Sequence, residues 1–469
     1  MSSIIRGAGL GLALGVTACI PPNTDPTQCP DGTVCPEPPP LDEKKAKADL
    51  DRALFALAKA EADGRLDPKE CREVTATFRA AHDDEQPATA NALFNAGVVW
   101  ERCGNTDEAK AAYRDTIAAR HDHCGAHNNL GVLRWNTGER SKAATSFQQA
   151  VDADPNSPAA RNNLAAALRH RYLSGKATND FDQAELALRN ALAVDSDNAT
   201  SHENLARLYY DRGRAGERSY LLLAKLVVSQ GTKILEQNGQ PSAELANIHG
   251  LLLMEDDDQV MALRAFKRAT QIDPGHPEAH LNIAMIALRF RDYATAEQSL
   301  VKALDDGQHR RNVTALLGLG VAQRGLRRYD DAEKTLVRAR KLDDRDPRAL
   351  YNLGILYHEH IAPAHSAVAD PGKGPGEGKT KFNDEPYLDA KRFFDRFAKA
   401  AKGRFPQEVA DARQRIASID QFLQDIQDLE DLEAEQAKLE AQMKAQQQEE
   451  RKRLLDLERR AKQAANPGT

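Results

Sequence analysis

"HNNLGVLRWNTGERSKAATSFQQAVDADPN", residues 127–156, decides how this chain is read. Leu130-Gly131 and Gly138 lie in its first half; Ala143, Phe147, Ala150 and Pro155 lie in its second. Where two helices cross, a Gly or Ala is required, because any larger side chain holds the backbones apart. A Phe, Tyr or Leu four residues after the second helix's Ala covers the seam. Proline ends the unit, since it cannot continue a helix.

The spacing recurs with a period near 34 residues. Residues 90–123 carry Gly97, Gly104, Ala109 and Tyr113. Residues 243–276 carry Gly250, Ala262, Phe266, Ala269 and Pro274. Residues 277–312 carry Ala284, Ala296, Leu300 and Ala303, and residues 313–346 carry Leu319-Gly320, Ala332, Leu336 and Ala339. This pattern resembles the tetratricopeptide repeat. The resemblance implies an all-α, right-handed superhelical solenoid of helix A–helix B hairpins, here followed by a long C-terminal helix.

Three units depart from the period. Residues 158–198 hold extra residues around "RHRYLSGKATND". Residues 199–242 run into "YLLLAKLVVSQGTKIL", which is apolar around more of its circumference than a surface helix allows. That helix is therefore expected to be more fully buried. Residues 347–402 are split by a Gly-, Pro- and His-rich loop insertion at 358–386. The expected layout is a signal peptide at 1–18, a Pro-rich tether at 19–41, a degenerate helical hairpin at 42–89, the repeat array at 90–402 with about eight units, and a charged helix at 403–469.

Composition agrees with helices. Aromatic residues make up 5% and charged residues 29% of the 469. Ala, Leu, Glu, Arg and Lys, all good helix formers, dominate. The net charge of −6 gives no polycation for nucleic acid.

The chain begins with one early charge, Arg6, then a short apolar core over residues 7–18. That is the pattern of a secretory signal, too short to span a bilayer at ~20 residues. Val16-Thr17-Ala18-Cys19 resembles the bacterial lipobox, which implies acylation of Cys19; an ordinary signal with an incidental cysteine is the other reading. Ile20, in place of Asp, favours the outer membrane. Cys29 and Cys35 flank Pro-Asp-Gly-Thr-Val and suit a small disulfide loop. Cys71 opens a helix B and Cys103 closes the next helix A, so both fall on one rim. Cys124 lies about 20 Å away along a helix, beyond the ~7 Å Cα separation a bridge allows. Cys71–Cys103 is the favoured pair, with Cys124 expected unpaired.

From Val409 apolar residues fall at 409, 412, 416, 419, 423 and 426, a heptad seam. It returns weakly at Leu439, Met443, Leu454, Leu457 and Ala461. The first half is expected to close the array. The second is either a coiled-coil strand or a solvated projecting helix.

Motifs for chemistry are weak. "GPGEGKT", residues 374–380, has Lys373 where a phosphate loop needs its first Gly. "HDHCGAH" groups His121, His123, Cys124 and His127, and "HEHIAPAH" groups His358, His360 and His365. His123 and His127 are four apart and could share a helix face, so a metal- or redox-linked protein using His121, His123 and Cys124 is a rival reading; "HEHIAPAH" lacks the second His at the zinc-protease spacing, and turns between repeats often carry His without metal. No enzyme, metal or cofactor is expected.

In the resembled family, the second, fifth, ninth and twelfth residues of each unit line an inner binding face. Here they include Asn128, Trp135, Asn162, Arg169, Glu203, Arg207, Tyr210, Asn247, Met254, Arg324, Arg348 and Tyr351. Asn129, Asn163, Asn204, Asn282 and Asn352 occupy a sixth place that signals fold rather than ligand. The expectation is a lipid-anchored, periplasm-facing scaffold for protein partners, able to self-associate through its C-terminal helix. The layout resembles tetratricopeptide lipoproteins of adventurous gliding motility complexes. The alternative is an outer-membrane biogenesis or secretion accessory that holds unfolded or C-terminal peptides.

Overall fold

The computed structural model describes residues 42–61, 66–83, 86, 89–175, 178–305, 307, 309–368, 381–401 and 403–464. The expected signal peptide at 1–18, Cys19, the expected tether with Cys29 and Cys35, and the GPGEGKT stretch lie outside these residues. The chain divides into two compact units between Ala279 and His280.

The first unit is a succession of antiparallel hairpins. α1 (Glu43–Ala60) pairs with α2 (Pro68–Ala80), α3 (Ala90–Arg102) with α4 (Thr106–Ala119), and α5 (Cys124–Asn136) with α6 (Arg140–Ala153). α7 (Pro158–Gly175) pairs with α8 (Thr178–Val194), α9 (Ala199–Arg214) with α10 (Ser219–Gln237), and α11 (Ala243–Glu255) with α12 (Gln259–Ile272). Several helices start where polar caps satisfy orphan amides. Asp67 and Glu70 form a reciprocal capping box ahead of Pro68. Asn105, Asn198, Ser242 and Asp258 accept from amides three residues on.

Within each hairpin one contact sets the spacing. A Cβ added to Gly131 would lie 2.5 Å from Phe147 Cε1, and one on Gly250 would lie 2.4 Å from Phe266 Cε1. Both rings are buried. Gly97 faces Tyr113 in the same way. There the buried phenol donates to Glu101 Oε2 at 2.6 Å and accepts from Asn129 Nδ2 at 3.2 Å. The hydroxyl is thus satisfied where these two hairpins use Phe.

The α7–α8 hairpin absorbs its extra residues by lengthening both helices. Tyr172 is buried against Phe181, and Arg171 pairs with Asp180 across the turn. α10 does not meet its expectation. Leu222 and Leu226 are 67% and 53% exposed, because the B helices before and after it leave this face of α10 uncovered. Cys71, in the first turn of α2, is bonded to Cys103 at the end of α3, with Cα atoms 6.3 Å apart.

The second unit contains most of α13 (Pro277–Arg289), α14 (Tyr293–Asp305), α15 (Val313–Gly325) and α16 (Tyr329–Leu342). α17 (Arg348–Leu356) follows and continues as a π-helical turn over Tyr357–Ile361 and a short α18 (Ala362–His365). The segment 358–365 is therefore helical, not loop. Tyr357 packs on Phe393 and donates to Glu333 Oε1, while His360 stacks on Tyr329 at 4.5 Å. These contacts pay the cost of the irregular turn. The insertion is pinned by a two-residue antiparallel ladder, β1 (Ala367–Val368) with β2 (Lys381–Phe382).

α19 (Glu385–Ala401) then packs Phe394 against Gly354 of α17, as helix B does elsewhere. α20 runs unbroken from Pro406 to Ala464. Its first half buries Ala412 and Ile419, with Val409, Ile416 and Leu423 beside them, against Phe394 and Phe397. Tyr351 donates to Asp411 at 2.9 Å, and Arg415 bridges Asp411 and Glu359.

The Gly–ring contact is open to test. Gly250→Ala gains about 1 kcal/mol of helix propensity, but the new methyl overpacks a buried ring at a cost of about 1–3 kcal/mol. The expected outcome is a lower urea midpoint, partly restored by adding Phe266→Leu.

Candidate partner-binding face

The residues singled out on the A helices of the first unit tie one hairpin to the next. Asn163 Nδ2 on α7 donates to Asn128 Oδ1 on α5 at 2.9 Å. Asn162 Nδ2 donates to Asn198 Oδ1 at the head of α9, and Ser201 Oγ donates back to Asn162 Oδ1, each at 3.1 Å. Ser242 Oγ at the head of α11 donates to Glu203 Oε1 on α9 at 2.6 Å. Asn128, Asn162, Asn163 and Asn247 are all buried. Buried amides of this kind must find partners, and most of their partners come from the adjoining hairpin.

The charged members pair in the same direction along the chain. Arg169 on α7 meets Asp211 on α9 at 2.5 Å, with both side chains mostly buried. Arg207 on α9 forks onto Glu244 on α11. His276 Nε2 approaches the other oxygen of Glu244 at 3.2 Å. Burial alone would raise the Glu244 carboxyl, but Arg207 and His276 hold it down at about 2. Burial pulls the His276 imidazole down, yet its hydrogen bond and charge contact with Glu244 raise it overall.

Other chosen residues have different roles. Trp135 lies at the end of α5, with the Arg140 guanidinium 4.0 Å above its ring and His170 edge-on at 5.2 Å. Tyr210 is buried, and Met254 is half-buried near the end of α11. In the second unit, Arg348 pairs with Asp346. Tyr351 is covered by α20, so it holds the C-terminal helix rather than facing an open groove. Arg324 is half-buried beside Glu359, and among the described residues its Nη1 makes no hydrogen bond.

Two open cavities in the first unit were not anticipated. One, of about 690 Å³, is floored by Leu164, Ala167 and Leu168 of α7 and walled by Trp135, Arg140 and the Thr145–Gln148 face of α6. The other, of about 710 Å³, is floored by Leu252 and Leu253 of α11 and walled by Val228, Ser229 and Thr232 of α10. Both fall in the size range of apolar anchor sites with a few polar groups at the rim. The excess apolar circumference of α10 did not announce the second, since of its apolar residues only Val228 lines the cavity, and the exposed Leu222, Leu223 and Leu226 lie outside it. Such a surplus marks a surface that water does not fully own.

Several histidines of the two clusters bond within the chain. His123 caps α5 through the Ala126 amide and reaches Asn91 Oδ1 on α3 at 3.0 Å. His127 Nε2 bonds the His121 carbonyl at 2.8 Å, and His202 repeats this with Ser196 at 2.9 Å. His358 Nδ1 accepts from Arg415 Nη1 at 3.3 Å. Among the described residues no group of three or more His, Cys, Asp or Glu is placed to hold a metal. Cys124 corrects the sequence expectation: it is disulfide-bonded, and no described cysteine is free. Its separation from Cys71 and Cys103 excluded those partners and said nothing about cysteines elsewhere in the chain.

A protein-family model for the tetratricopeptide repeat matches residues 128–177, 176–217, 261–310 and 317–361. Solved structures similar to this chain include a tetratricopeptide repeat protein from Parabacteroides merdae, at 13% identity, covering 60% of this chain and 99% of that one with a TM-score of 0.46. Pseudomonas aeruginosa pilF is similar at 19% identity, over 51% of this chain and 96% of that one, TM-score 0.38. A thermophilic repeat protein of Thermus thermophilus is similar at 16% identity, over 42% and 99%, TM-score 0.35. No curated protein matches the sequence. The chain carries tetratricopeptide repeats, and its fold is the all-α hairpin array they build. Arrays of this kind are protein-interaction scaffolds.

The two inter-repeat histidines predict opposite pH behaviour. His276 is raised from its ordinary 6.5, so the stability it contributes is full below 6.5 and is lost as pH rises through the raised value. His123 is pushed down to about 3 by burial and by Arg120, so its contribution is full above 6.5 and is lost as pH falls from 6.5 toward 3. In denaturant titrations across pH, His276→Gln is expected to flatten the alkaline loss. His123→Asn, which keeps an N-cap acceptor, is expected to flatten the acid loss.

Proposed function

We propose that this protein is a non-catalytic, lipid-anchored scaffold that faces the periplasm from the outer membrane and gathers the protein partners of an envelope machine. A gliding-motility complex is the kind of assembly its layout resembles. The observation that carries the scaffold reading is the pair of apolar-floored cavities, one between α6 and α7 and one between α10 and α11, open to side chains from a partner. Arg169, Arg207 and Arg348 are each committed to a carboxylate of the chain itself. A groove whose cations are already paired is better suited to a folded partner than to the free carboxylate of a peptide end. The envelope assignment draws support from the Cys71–Cys103 bond and the bonded Cys124, since disulfides persist in oxidising compartments. The Val16-Thr17-Ala18-Cys19 sequence supports acylation, and two or more acyl chains make a stable anchor. The C-terminal helix serves self-association.

Crosslinked affinity purification from intact membranes tests the reading. Thr145→Trp and Ser229→Trp fill one cavity each from exposed positions. They are expected to reduce partner capture about tenfold, or ~1.4 kcal/mol, with an unchanged melting temperature. Undiminished capture by both variants would remove the cavities from the account. Cys19→Ala is expected to abolish metabolic labelling with fatty acid and to release the protein from the membrane fraction; unchanged labelling would refute the anchor.

A further inference from the structure

Beyond the contacts that hold its first half, α20 leaves the body of the second unit and carries a stripe that none of the described residues covers. Leu429, Leu432, Leu439, Met443, Leu454 and Leu457 are between 52% and 62% exposed. The helix itself is well supported in water. Gln421, Gln424 and Gln427 each donate to the Asp four residues on, and Arg453 and Arg460 pair with acids four residues back. Those contacts account for the helix and leave the leucines unexplained.

The stripe has a centre of symmetry. Leu429 and Leu457 lie fourteen residues to either side of Met443, and Leu432 and Leu454 lie eleven residues to either side. Eleven and fourteen residues are about three and four helical turns, so all five share one side of the helix. The charges are not symmetric. Residues 425–440 hold seven acids and Lys438, a net of −6, whereas residues 444–462 hold seven bases and four acids, a net of +3. A parallel copy in register would set the acidic stretch against itself. An antiparallel copy sets it against the basic stretch and at the same time brings Leu429 to Leu457 and Leu432 to Leu454.

We infer that the projecting part of α20 pairs antiparallel with the same segment of a second copy of this chain, centred on Met443. The inference rests on the self-association reading above and adds an orientation and a register to it. With apolar layers at both ends and Gln436, Gln446 and Glu450 nearer the middle, the pairing specifies its register through its ends.

The experiment uses the full chain with a thiol-specific nitroxide, added without reductant, at Glu430→Cys or at Lys444→Cys. Both sites are exposed and lie off the stripe. Sedimentation equilibrium reports the oligomeric state, and dipolar electron resonance reports the distance between equivalent labels. The antiparallel register predicts a dimer with 444-to-444 labels within about 20 Å, from helix axes ~10 Å apart. It places 430-to-430 labels about 40 Å apart, twenty-six residues at ~1.5 Å each. It further predicts that Met443→Lys weakens the dimer at least about tenfold, as a charge at a seam position does. A dimer with both label pairs close would overturn the register and leave self-association standing. A chain that is monomeric at every concentration would overturn both.

Discussion

Helix A can approach helix B only as closely as the residue at their crossing allows, and the rest of both units is built on that distance. Where Phe147, Phe266 or Phe394 fills the seam, the opposite position is Gly131, Gly250 or Gly354, and even a methyl group has no room. Buried Ala165 and Ala284 take the corresponding places in α7 and α13, and Leu188 and Leu300 lie buried on the B helices that follow. Close packing of this kind is sensitive to a single methylene. A hairpin whose two helices sit at a fixed distance presents a reproducible face to the next one, which is how short local contacts propagate into an array.

The second layer of organisation in the first unit is polar. Asn128, Asn162, Asn163, Arg169, Arg207 and Glu244 connect A helix to A helix, and their bonds have little solvent to compete with them. Apolar packing alone would let neighbouring hairpins slide, because it is non-directional. Hydrogen bonds and a forked Arg–Glu pair fix direction as well as distance. The A-helix surface is thus largely spent on internal order. Room for a partner's side chains is found instead in the two cavities, where a B helix meets the A helix that follows it, α6 with α7 and α10 with α11.

How much of this could be read in advance follows from what each feature depends on. The hairpins were legible because Gly or Ala, then Phe or Leu, at fixed spacing is a local signal. The turn residues were only partly so. Gly104 and Gly138 of the repeat pattern adopt positive φ, but Asp257, Arg291 and Arg327 occupy the same left-handed conformation in later hairpins with no glycine to announce it. The inner-face positions were found by register, yet their role was not, since a side chain's partner across a repeat depends on three-dimensional packing. Tyr351 shows this: its sequence place is that of an open groove, and α20, some sixty residues later, covers it. The α10 surplus of leucine was visible and was taken for burial, because composition alone cannot tell a buried face from one left uncovered.

The Cys71–Cys103 bond has a mechanical consequence. It joins the hairpin at the amino-terminal end of the array to the following one, across residues 72–102. A pull applied at Asp42 can peel α1 from its neighbours, but on reaching Cys71 the tension passes through sulfur directly to the end of α3. The thirty-one residues between the two cysteines are shunted out of the load path. They yield no slack and keep their shape while force is carried past them.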